Sequence, residues 1–573
     1  MEGHLIRPEG ASFPVRAAQN LARGLQRLGR VGPVHRLRLA GRHPLKLISS
    51  PEDPWPGSAE EGEMLLEGRF QFAGQELEAE PEALWREAGN GTPKFFQWLH
   101  SFVWLRDLAA LENEEAARAL AEKLVKSWAA AYGDYHREAW SPEITGSRLL
   151  NWTFHAPLIL SSPDLVYRSR VLNSLARQGR HLRIAFADAP PGAARARALV
   201  GLAASGLLLP DGEARAAKAM IRLEKLCNYF VLADGGPRSR TISDALGMAK
   251  NLIVLRIILE DRQAEVPEWI QLNLDRILPF IKAMAHGDGT LMYDSGSYSG
   301  ERLAVRDLAR LARTRGGPIH NATIAGYLRL EGGKTRLLFD AGPPAGPGLS
   351  GEATAGTFSF ELSEGAERIV VGRVARDFLP DLTGESAARL IRRSDAQSTL
   401  TIADNESTPI RADGSLGAGL GETWFERNEN EEGIWVEAWH DGFAGRFGFR
   451  HQRRIYLNAA GTDLRGEDRL LPAPAGWRRF FGLKKSQPCT VSFPLHPKVT
   501  ASLTEQGSAV ILRLGSKKGW VFKARGGDIQ IEDGIYYRGF GFGAKTSRIV
   551  LKALSDDEGL SLNWSFKKAG TRE

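Results

Sequence analysis

The apolar pattern of this sequence changes period once, and that change limits the possible folds more than any other feature. Up to about residue 316, apolar residues recur at helical spacing; from about residue 317 they alternate with polar residues, as in strands. The change is clearest in Arg336–Gly372, where Gly356–Leu362 puts its apolar side chains on one face and predicts a half-buried strand. A helical half followed by a β half forms a domain junction, and clefts at such junctions are favoured ligand sites.

Composition indicates a globular chain with room for more than one core. The chain has 573 residues, of which 43% are hydrophobic and 25% charged. We expect no transmembrane segment, because no run of about 18 apolar residues occurs. The first residues lack the uninterrupted apolar core of a secretory signal. Cys227 and Cys489 lie in different halves, so neither a disulfide framework nor a cysteine-based zinc site is expected.

The charge balance is basic, with a net charge of +7 and a pI near 9.3. This favours polyanionic partners such as acidic polysaccharide, anionic lipid or nucleic acid. The aromatic, basic signature of an RNA-recognition sheet is not evident, so no nucleic acid is expected. Much of the excess charge is arginine in the first fifty residues, and residues 1–80 are predicted to be a basic segment packed on the helical domain. Within it, Val15–Val31 fits either an amphipathic helix on a membrane surface or, as we favour, a domain-edge helix with one solvated face.

Residues 81–316 are predicted to form a helical domain. Asn113 is a plausible N-cap, followed by Glu114 and Glu115 in the first turn. Short connections favour antiparallel pairs, which can build either an α/α toroid or a superhelical array, and the pattern does not choose between them. The predicted helices are Pro93–Leu111, Asn113–Tyr132, Glu143–Ile159, Pro163–Ile184, Pro191–Leu209, Asp211–Leu232, Ser243–Glu260 and Pro267–Ala285.

Residues 317–573 are predicted to form a large antiparallel sandwich. Short alternating segments follow one another at regular intervals and are separated by turn residues. The predicted strands are Ile434–His440, Phe447–Leu457, Cys489–Leu495, Val510–Leu514, Trp520–Ala524, Ile549–Leu554 and Leu560–Phe566.

Eight short motifs, in order along the chain, resemble those of the heparinase II/III-like family, in a bacterial branch of uncharacterised members. Each is weak alone, and their common order makes the set more specific. The motifs are Trp140–Trp152, Leu232–Arg240, Gly326–Leu330, Asp340–Pro344, Ala355–Ser363, Ala396–Leu400, Trp439–Phe443 and Leu495–Val499.

The resemblance implies an α+β, two-domain fold: an N-terminal incomplete α/α toroid followed by a C-terminal antiparallel β-sandwich. It also implies a polysaccharide lyase that cleaves acidic, uronate-containing chains by β-elimination. That reaction needs a group that neutralises the uronate carboxylate, a base and an acid within reach, and preorganised donors for the developing charge. Family members use Asn or Gln, Tyr and His for these tasks, and some hold a structural metal through His and Asp.

The sequence departs from the family pattern at three places. Where relatives tend to read S-R-N-P, this chain reads Ser239–Ile242, so Thr241 replaces the neutralising Asn. Thr354 stands where relatives tend to have the His of A-H-A, and Gln397 replaces a metal-binding His. Either the active site is rebuilt or lytic activity is lost, and no cofactor is expected. The alternative function is a non-catalytic glycan-binding or envelope-assembly protein.

The candidate catalytic residues are Tyr298, His440 and Thr241. Tyr298 lies in a loop of small residues, Met292–Ser299, and is preferred to Tyr293 as an acid and base. His440 ends an alternating strand, where a satisfied, buried histidine is the simpler interpretation. Thr241 also fits a capping box with Asp244, in which case it would only cap a helix.

The candidate substrate-binding residues are basic, polar or aromatic. Arg238 and Arg240 precede a helix start and offer forked donors to a carboxylate. Arg148, Asn151 and Trp152 lie in one predicted helix, where a polar cluster lining the core and a sugar-stacking tryptophan are equally weighted. Thr354 completes this set, which is Arg238, Arg240, Arg148, Asn151, Trp152 and Thr354.

The expected partner is therefore an acidic polysaccharide or oligosaccharide. The family resemblance implies the cell envelope or periplasm, whereas the missing export signal taken at face value implies the cytoplasm.

Overall fold

The structure is a computed structural model, and it describes most of the chain. The described residues are 3–7, 33–293, 305–346, 348–349, 351–375, 389–412, 414–417, 419–474, 486–516, 518–537 and 543–570.

Helices fill the first half of the described chain, as its periodicity predicts. Their ends agree with the predictions to within a few residues, and the side chains of Asn113 and Asp164 cap two of them. The helices are α1 Pro33–Leu39, α2 Ala59–Leu66, α3 Leu84–Glu87, α4 Pro93–Ser101, α5 Leu105–Ala109, α6 Glu114–Tyr132, α7 Pro142–Phe154, α8 Ala156–Ile159, α9 Leu165–Ala185, α10 Ala193–Leu207, α11 Glu213–Phe230, α12 Ile242–Asp261, α13 Glu268–Ala283 and α14 Val305–Leu311, with a short α15, Ala444–Phe447, among the strands.

Two predicted helices are interrupted. Glu143–Ile159 is divided at His155 into α7 and α8. Pro93–Leu111 is two helices, α4 and α5, because Phe102 adopts a left-handed conformation with φ of 58° and ends the first of them. Phe102 is fully buried and its ring packs on those of Trp104 and Trp128. Burial of that ring compensates for a backbone conformation that a bulky residue rarely adopts.

Helix α10 lies at the centre of the helical region and packs on α7, α11 and α12. It is rich in alanine and buried around most of its circumference. Gly146 of α7 and Gly201 of α10 let two backbones approach closely, since a Cβ on Gly201 would lie 2.6 Å from the Cα of Gly146. Small residues at this crossing therefore set the distance between the two helices.

Strands dominate the second half. They are β1 His4–Ile6, β2 Arg69–Phe72, β3 Gln75–Glu78, β4 Asn321–Ala322, β5 Tyr327–Gly332, β6 Thr335–Asp340, β7 Phe360–Glu364, β8 Glu367–Val370, β9 Val374–Ala375, β10 Leu400–Ile402, β11 Thr423–Glu429, β12 Gly433–His440, β13 Phe449–Asn458, β14 Asp463–Pro472, β15 Gln487–Pro494, β16 Thr500–Leu503, β17 Ala509–Arg513, β18 Gly519–Arg525, β19 Asp528–Tyr537, β20 Gly543–Ser555 and β21 Leu560–Lys568.

All described strand pairs are antiparallel. One sheet has nine strands in the order β1-β11-β12-β13-β14-β21-β18-β17-β16, and two have five, in the orders β10-β15-β20-β19-β9 and β4-β5-β6-β7-β8. A second hydrophobic core draws side chains from all three sheets, including Phe360, Phe493 and Trp564, whose rings pack together. The sheets therefore pack on one another around this common core.

Strand β7 is buried on both faces, so the prediction of a half-buried strand is wrong. Phe360 and Leu362 point into the core of the sheets, as the alternation predicts. Glu361 and Ser363, on the other face, are also buried because His286 of the helical region bonds to both side chains. The helical region thus covers the face that the polar residues would otherwise expose to water.

The N-terminal segment is divided between the two halves. Residues His4–Ile6 form an edge strand of the nine-stranded sheet, paired with Thr423–Phe425. The prediction that residues 1–80 pack on the helical domain is therefore wrong for this strand, whereas α1 packs on helix α9 of the helical region. The predicted helix Val15–Val31 lies outside the described residues.

The helical region followed by antiparallel sheets confirms the predicted two-domain α+β architecture. The closure of the helices into a toroid stays a prediction. Among the described helices, none combines the length and the apolar character needed to cross a bilayer.

Candidate functional site

Arg240 joins the helical region to the sheets. Its guanidinium forms an ion pair with Asp340 at the end of β6 and lies 4.7 Å from the ring centre of Tyr327. It also donates to the carbonyl oxygens of Pro343 and, at 2.7 Å, Ala325. Burial alone would lower the pKa of Arg240, but the Asp340 carboxylate outweighs this and raises it. Arg240 is therefore charged, and several protein groups bind its guanidinium.

Tyr293 lies beside this ion pair. Its hydroxyl is hydrogen-bonded to the hydroxyl of Ser359 and is 3.4 Å from the second oxygen of Asp340. Thr354 belongs to the same group, because a Cβ on Gly356 would lie 2.9–3.0 Å from the side-chain oxygens of Tyr293, Ser359 and Thr354. We call Arg240, Tyr293, Asp340, Thr354 and Ser359 the seam cluster.

Electrostatics keep Tyr293 protonated. Burial, followed by the nearby Asp340 carboxylate, raises the pKa of Tyr293 well above 10. A phenol with so high a pKa is a poor general base at neutral pH, because its proton is seldom absent.

A second buried network holds the backbone of Tyr293. Glu361 accepts hydrogen bonds from His286 at 2.9 Å and from the backbone N–H of Tyr293 at 3.1 Å, and it pairs with Arg368. Burial alone would raise the pKa of Glu361, but Arg368 and the hydrogen bond from His286 lower it to about 2. Arg373 donates to the carbonyl oxygen of Tyr293 at 3.0 Å.

Asp244, three residues after Thr241, is influenced electrostatically by two other carboxylates, Glu352 and Glu143. Burial raises the pKa of Asp244 to about 7, and Glu352 and Glu143 push it in the same direction while the hydroxyl of Ser239 opposes them. Burial also raises the pKa of Glu143. Lys94 forms a 3.3 Å ion pair with Glu352.

Thr241 occupies the N-cap position of α12 without capping it. Its hydroxyl donates to the carbonyl oxygen of Ser239 at 3.3 Å, and no side-chain capping bond forms. The capping-box interpretation is therefore wrong. Asp244 instead accepts hydrogen bonds from the Ser239 hydroxyl at 2.7 Å and from the backbone N–H of Ala193 at 3.2 Å.

The predicted substrate-binding residues of α7 belong to the interior, which corrects that prediction. Trp152 is fully buried, with its ring packed edge-on against those of Phe102 and Trp128. Arg148 is also fully buried, and burial lowers its pKa to about 9. Asn151 donates to the carbonyl oxygen of Ser101 at 2.9 Å. The alternative of a polar cluster lining the core is the correct interpretation.

His440 is likewise a core residue, so its assignment as catalytic is wrong. It is 1% exposed, and its Nε2 lies 3.1 Å from Nδ1 of His451. Its ring packs on that of Phe358 at 4.8 Å, inside the core of the sheets. Burial lowers the pKa of His440 well below its usual value, so the imidazole is neutral.

The remaining predicted residues have separate locations. Arg238 donates to the carbonyl oxygen of Tyr229 at 2.7 Å and stacks on its ring, at the end of α11. Tyr298 lies outside the described residues. Among the predicted substrate-binding residues, Arg240 and Thr354 are in the seam cluster.

The residues at the expected metal position do not fit a metal ion. The side-chain oxygen of Gln397 accepts a hydrogen bond from the backbone N–H of Arg373 at 3.3 Å, and its amide donates to the carbonyl oxygen of Ile391 at 2.7 Å. Both polar ends of Gln397 are thus bound to backbone. Within the described ranges, no group of three or more His, Cys, Asp or Glu side chains is arranged to hold a metal.

Sequence reasoning missed the central members of the seam cluster. The small neighbours of Tyr298 favour it over Tyr293 in the sequence, because they would expose it, and spacing does not say which tyrosine turns inward. Asp340 and Ser359 lie inside two of the family motifs, Asp340–Pro344 and Ala355–Ser363. Their place in these motifs was the one signal in the sequence that could have identified them as site residues.

The fold is a helical region joined to stacked antiparallel sheets. Residues 314–565 match the family model Heparinase II/III-like, C-terminal. For this part of the chain, the match confirms the family resemblance carried by the motifs.

Similar proteins fall into two groups. The FtsZ-localized protein C of Caulobacter vibrioides is 29% identical over 550 residues, covering 94% of this chain and 93% of the relative. A solved structure of heparinase III superposes with a TM-score of 0.65 at 12% identity, covering 84% of this chain and 78% of that one. The structure of a mutant heparan sulfate lyase from Pedobacter heparinus superposes with a TM-score of 0.58 at 14% identity, covering 90% of this chain and 83% of that one. At these identities the two structures show a shared fold.

Proposed function

We propose that this protein keeps the polysaccharide-lyase scaffold without β-elimination activity and works as a glycan-binding or cell-envelope assembly protein. The observation that carries the proposal is the internal bonding of the seam cluster. The groups that would have to face a uronate are bound to one another instead: Tyr293 to Ser359 and Arg240 to Asp340.

The chemistry of β-elimination supports the same proposal. A lyase must neutralise the substrate carboxylate before its neighbouring proton becomes acidic enough to remove. Thr241 offers a neutral hydroxyl at the position of the family's amide, and that hydroxyl is bonded to the backbone of Ser239.

The FtsZ-localized relative supports the assembly part of the proposal. It is similar over nearly the whole of both chains, and its name associates it with FtsZ rather than with a polysaccharide. We infer that this chain also serves the division or envelope machinery, with acidic polysaccharide or oligosaccharide as its glycan partner.

The test incubates the purified full-length protein with heparan sulfate, alginate, hyaluronan and bacterial exopolysaccharides. Unsaturated uronates absorb in the ultraviolet, and heparinase III on heparan sulfate is the positive control. We expect no absorbance above background from the protein, together with binding on a glycan array. Glycan cleavage would overturn the loss of activity, and the absence of any glycan binding would overturn the binding role.

A second candidate, a lyase with a rebuilt site, is favoured by one observation. Tyr293 brings a phenol to the seam, next to the hydroxyls of Ser359 and Thr354. If cleavage is detected, Tyr293→Phe should abolish it. Tyr229→Phe, at an exposed position on helix α11, is the matched control and should leave cleavage unchanged.

The assembly role has its own test, which is co-sedimentation of the full-length protein with polymerised FtsZ. Retention in the pellet only when FtsZ is polymerised would support it. A protein that stays in the supernatant with FtsZ polymers would contradict it.

A further inference from the structure

The solvent-facing side of the nine-stranded sheet carries four partly exposed aromatic side chains. They form two cross-strand pairs: Trp424 with Trp439, and Trp435 with Tyr456. The ring centres are 6.5 Å apart and nearly parallel in the first pair, and 4.9 Å apart in the second. We call these four residues the outer aromatic face.

The outer aromatic face is long enough for an extended ligand. Trp435 and Trp439 lie four residues apart on β12, a separation of about 13 Å along a strand. Glu437 lies between them, on the same side of the sheet, because side chains alternate along β12. Two aromatic pairs therefore flank a polar centre.

Most charged groups in and around this face are paired, and the guanidinium of Arg450 lies 4.5 Å from the ring centre of Trp439. Arg454 pairs with Glu437 at 3.1 Å and with Glu467 at 3.5 Å. Arg465 pairs with Asp463 at 2.6 Å. Exposed ion pairs of this kind add little stability. Because their charges cancel, little net charge is left on this face to attract a polyanion.

Several hydrogen-bonding groups on this face have no partner within the described part of the chain. Among the described residues, none accepts a hydrogen bond from the indole N–H of Trp424, Trp435 or Trp439. Gln452, which is paired with Trp439 across the sheet, is 8% exposed, and its side-chain oxygen has no partner within the described part of the chain. A buried polar atom without a partner calls for an explanation, and a ligand that donates hydrogen bonds supplies one.

The plainer interpretation is that these rings only stabilise the sheet. Cross-strand aromatic pairs contribute roughly 0.2–1 kcal/mol each. That interpretation accounts for the pairs but not for the unpartnered oxygen of Gln452, since leaving such an atom buried is costly.

We propose that the outer aromatic face binds an uncharged oligosaccharide. Sugar rings offer apolar C–H surface to the aromatic rings and hydroxyls that both donate and accept hydrogen bonds, which suits indole N–H groups, carboxylates and Gln452 alike. The proposal deepens the proposed function by adding a second glycan class at a site separate from the seam cluster. It needs no activity at the seam, so each of the two can fail without the other.

Two other occupants fit less well. A nucleic acid or a sulfated glycan would gain little on this side of the sheet, because arginines there are already paired with carboxylates, as Arg454 is with Glu437 and Glu467. A protein partner would have to bury these charged residues, although charged residues are depleted from the cores of interfaces.

The test titrates the full-length protein with cellohexaose and chitohexaose in a calorimeter. We expect one of them to bind, and Trp435→Ala or Trp439→Ala to weaken that binding by about tenfold or more. Raising the ionic strength from about 0.05 M to about 0.5 M should change the affinity by less than about twofold, because charge contributes little.

Tyr229→Ala is the matched control. Tyr229 is an exposed aromatic residue with an arginine stacked on its ring, and it lies on the helical region. It should bind like the wild type. Gln452→Leu should weaken binding without lowering the melting temperature, which separates a ligand contact from a merely structural role.

Three results would overturn the proposal. The first is the absence of binding by either hexasaccharide. The second is binding that both tryptophan variants retain. The third is salt-sensitive binding of heparan sulfate or RNA that the tryptophan variants abolish, since the face would then be a polyanion site.

Discussion

Arg240 and Asp340 form an ion pair across the seam, with side chains that are 9% and 6% exposed. One residue follows a turn of the helical region and the other ends a strand of the sheets. Their pairing shows that the polar contacts at the seam are part of the folded core.

Removal of the Asp340 charge should therefore destabilise the protein strongly. In Asp340→Asn the guanidinium of Arg240 would stay buried without its counter-ion, at a cost of about 3–5 kcal/mol. The free energy of unfolding in urea measures this. The control is Asp211→Asn, which removes the 2.7 Å pair with Arg42 at the surface and should cost about 1 kcal/mol or less. Similar losses in both variants would contradict a structural role for the seam pair.

Asp244 should make stability depend on pH. Its pKa of about 7 in the folded protein lies above the usual value near 3.9, so the folded state binds the proton more tightly than the unfolded chain does. Its contribution is then fully present below about pH 4 and is lost as the pH rises through about 7.

Asp244→Asn keeps neutral groups that can bond to Ser239 and Ala193, and it removes this titration. The stabilities of variant and wild type should agree near pH 4, whereas the variant should be more stable at pH 8 by up to about 4 kcal/mol. A difference that does not vary with pH would show that Asp244 does not titrate in this window.

The crossing of α7 and α10 should not tolerate a methyl group. In Gly201→Ala the new Cβ would lie 2.6 Å from the Cα of Gly146 and 2.8 Å from its carbonyl oxygen, so the helices must move apart. We expect a loss of about 1–3 kcal/mol, read as a lower midpoint in thermal unfolding. Gly445→Ala is the control, because a Cβ at Gly445 meets nothing within 4 Å. Equal midpoints for the two variants would show that the crossing relaxes freely.

Both thiols should be inert in the native protein. Burial raises the pKa of Cys227 to about 12 and that of Cys489 to about 11, and each side chain is at most 1% exposed. After unfolding in urea, a thiol reagent should label both cysteines. Over the same period under native conditions, it should label neither. Rapid native labelling, located by mass spectrometry, would contradict this placement.

The local pattern of apolar and polar residues was sufficient to predict the order and type of the secondary-structure elements. The helical spacing before residue 316 and the alternation after residue 317 predict the two halves, since burial of one face imposes its period on the sequence. Leu252–Leu259 is apolar almost throughout, a pattern typical of a helix buried on nearly all sides, and its apolar side chains are almost all fully buried. The break at Phe102 was missed because the packing of its ring, rather than any turn residue, fixes its left-handed backbone.

The residues of the candidate site were harder to predict from the local sequence pattern. Trp152 and Arg148 look like ligand contacts in sequence, because tryptophan and arginine serve both cores and binding sites. Their burial against Phe102, Trp128 and Gln178 follows from helices that meet only in the folded chain. His440 was misassigned for the same reason.

The sequence by itself determined where helices give way to strands and which family the chain resembles, because periodicity and short motifs are local properties. Only the tertiary structure decided that Tyr293 rather than His440 reaches the seam, that Asp340 neutralises Arg240 and that β7 is covered on both faces. These are pairings between residues about fifty to a hundred positions apart. The energy of a buried charge or hydroxyl depends on the partner that folding brings to it, and no local pattern records that partner.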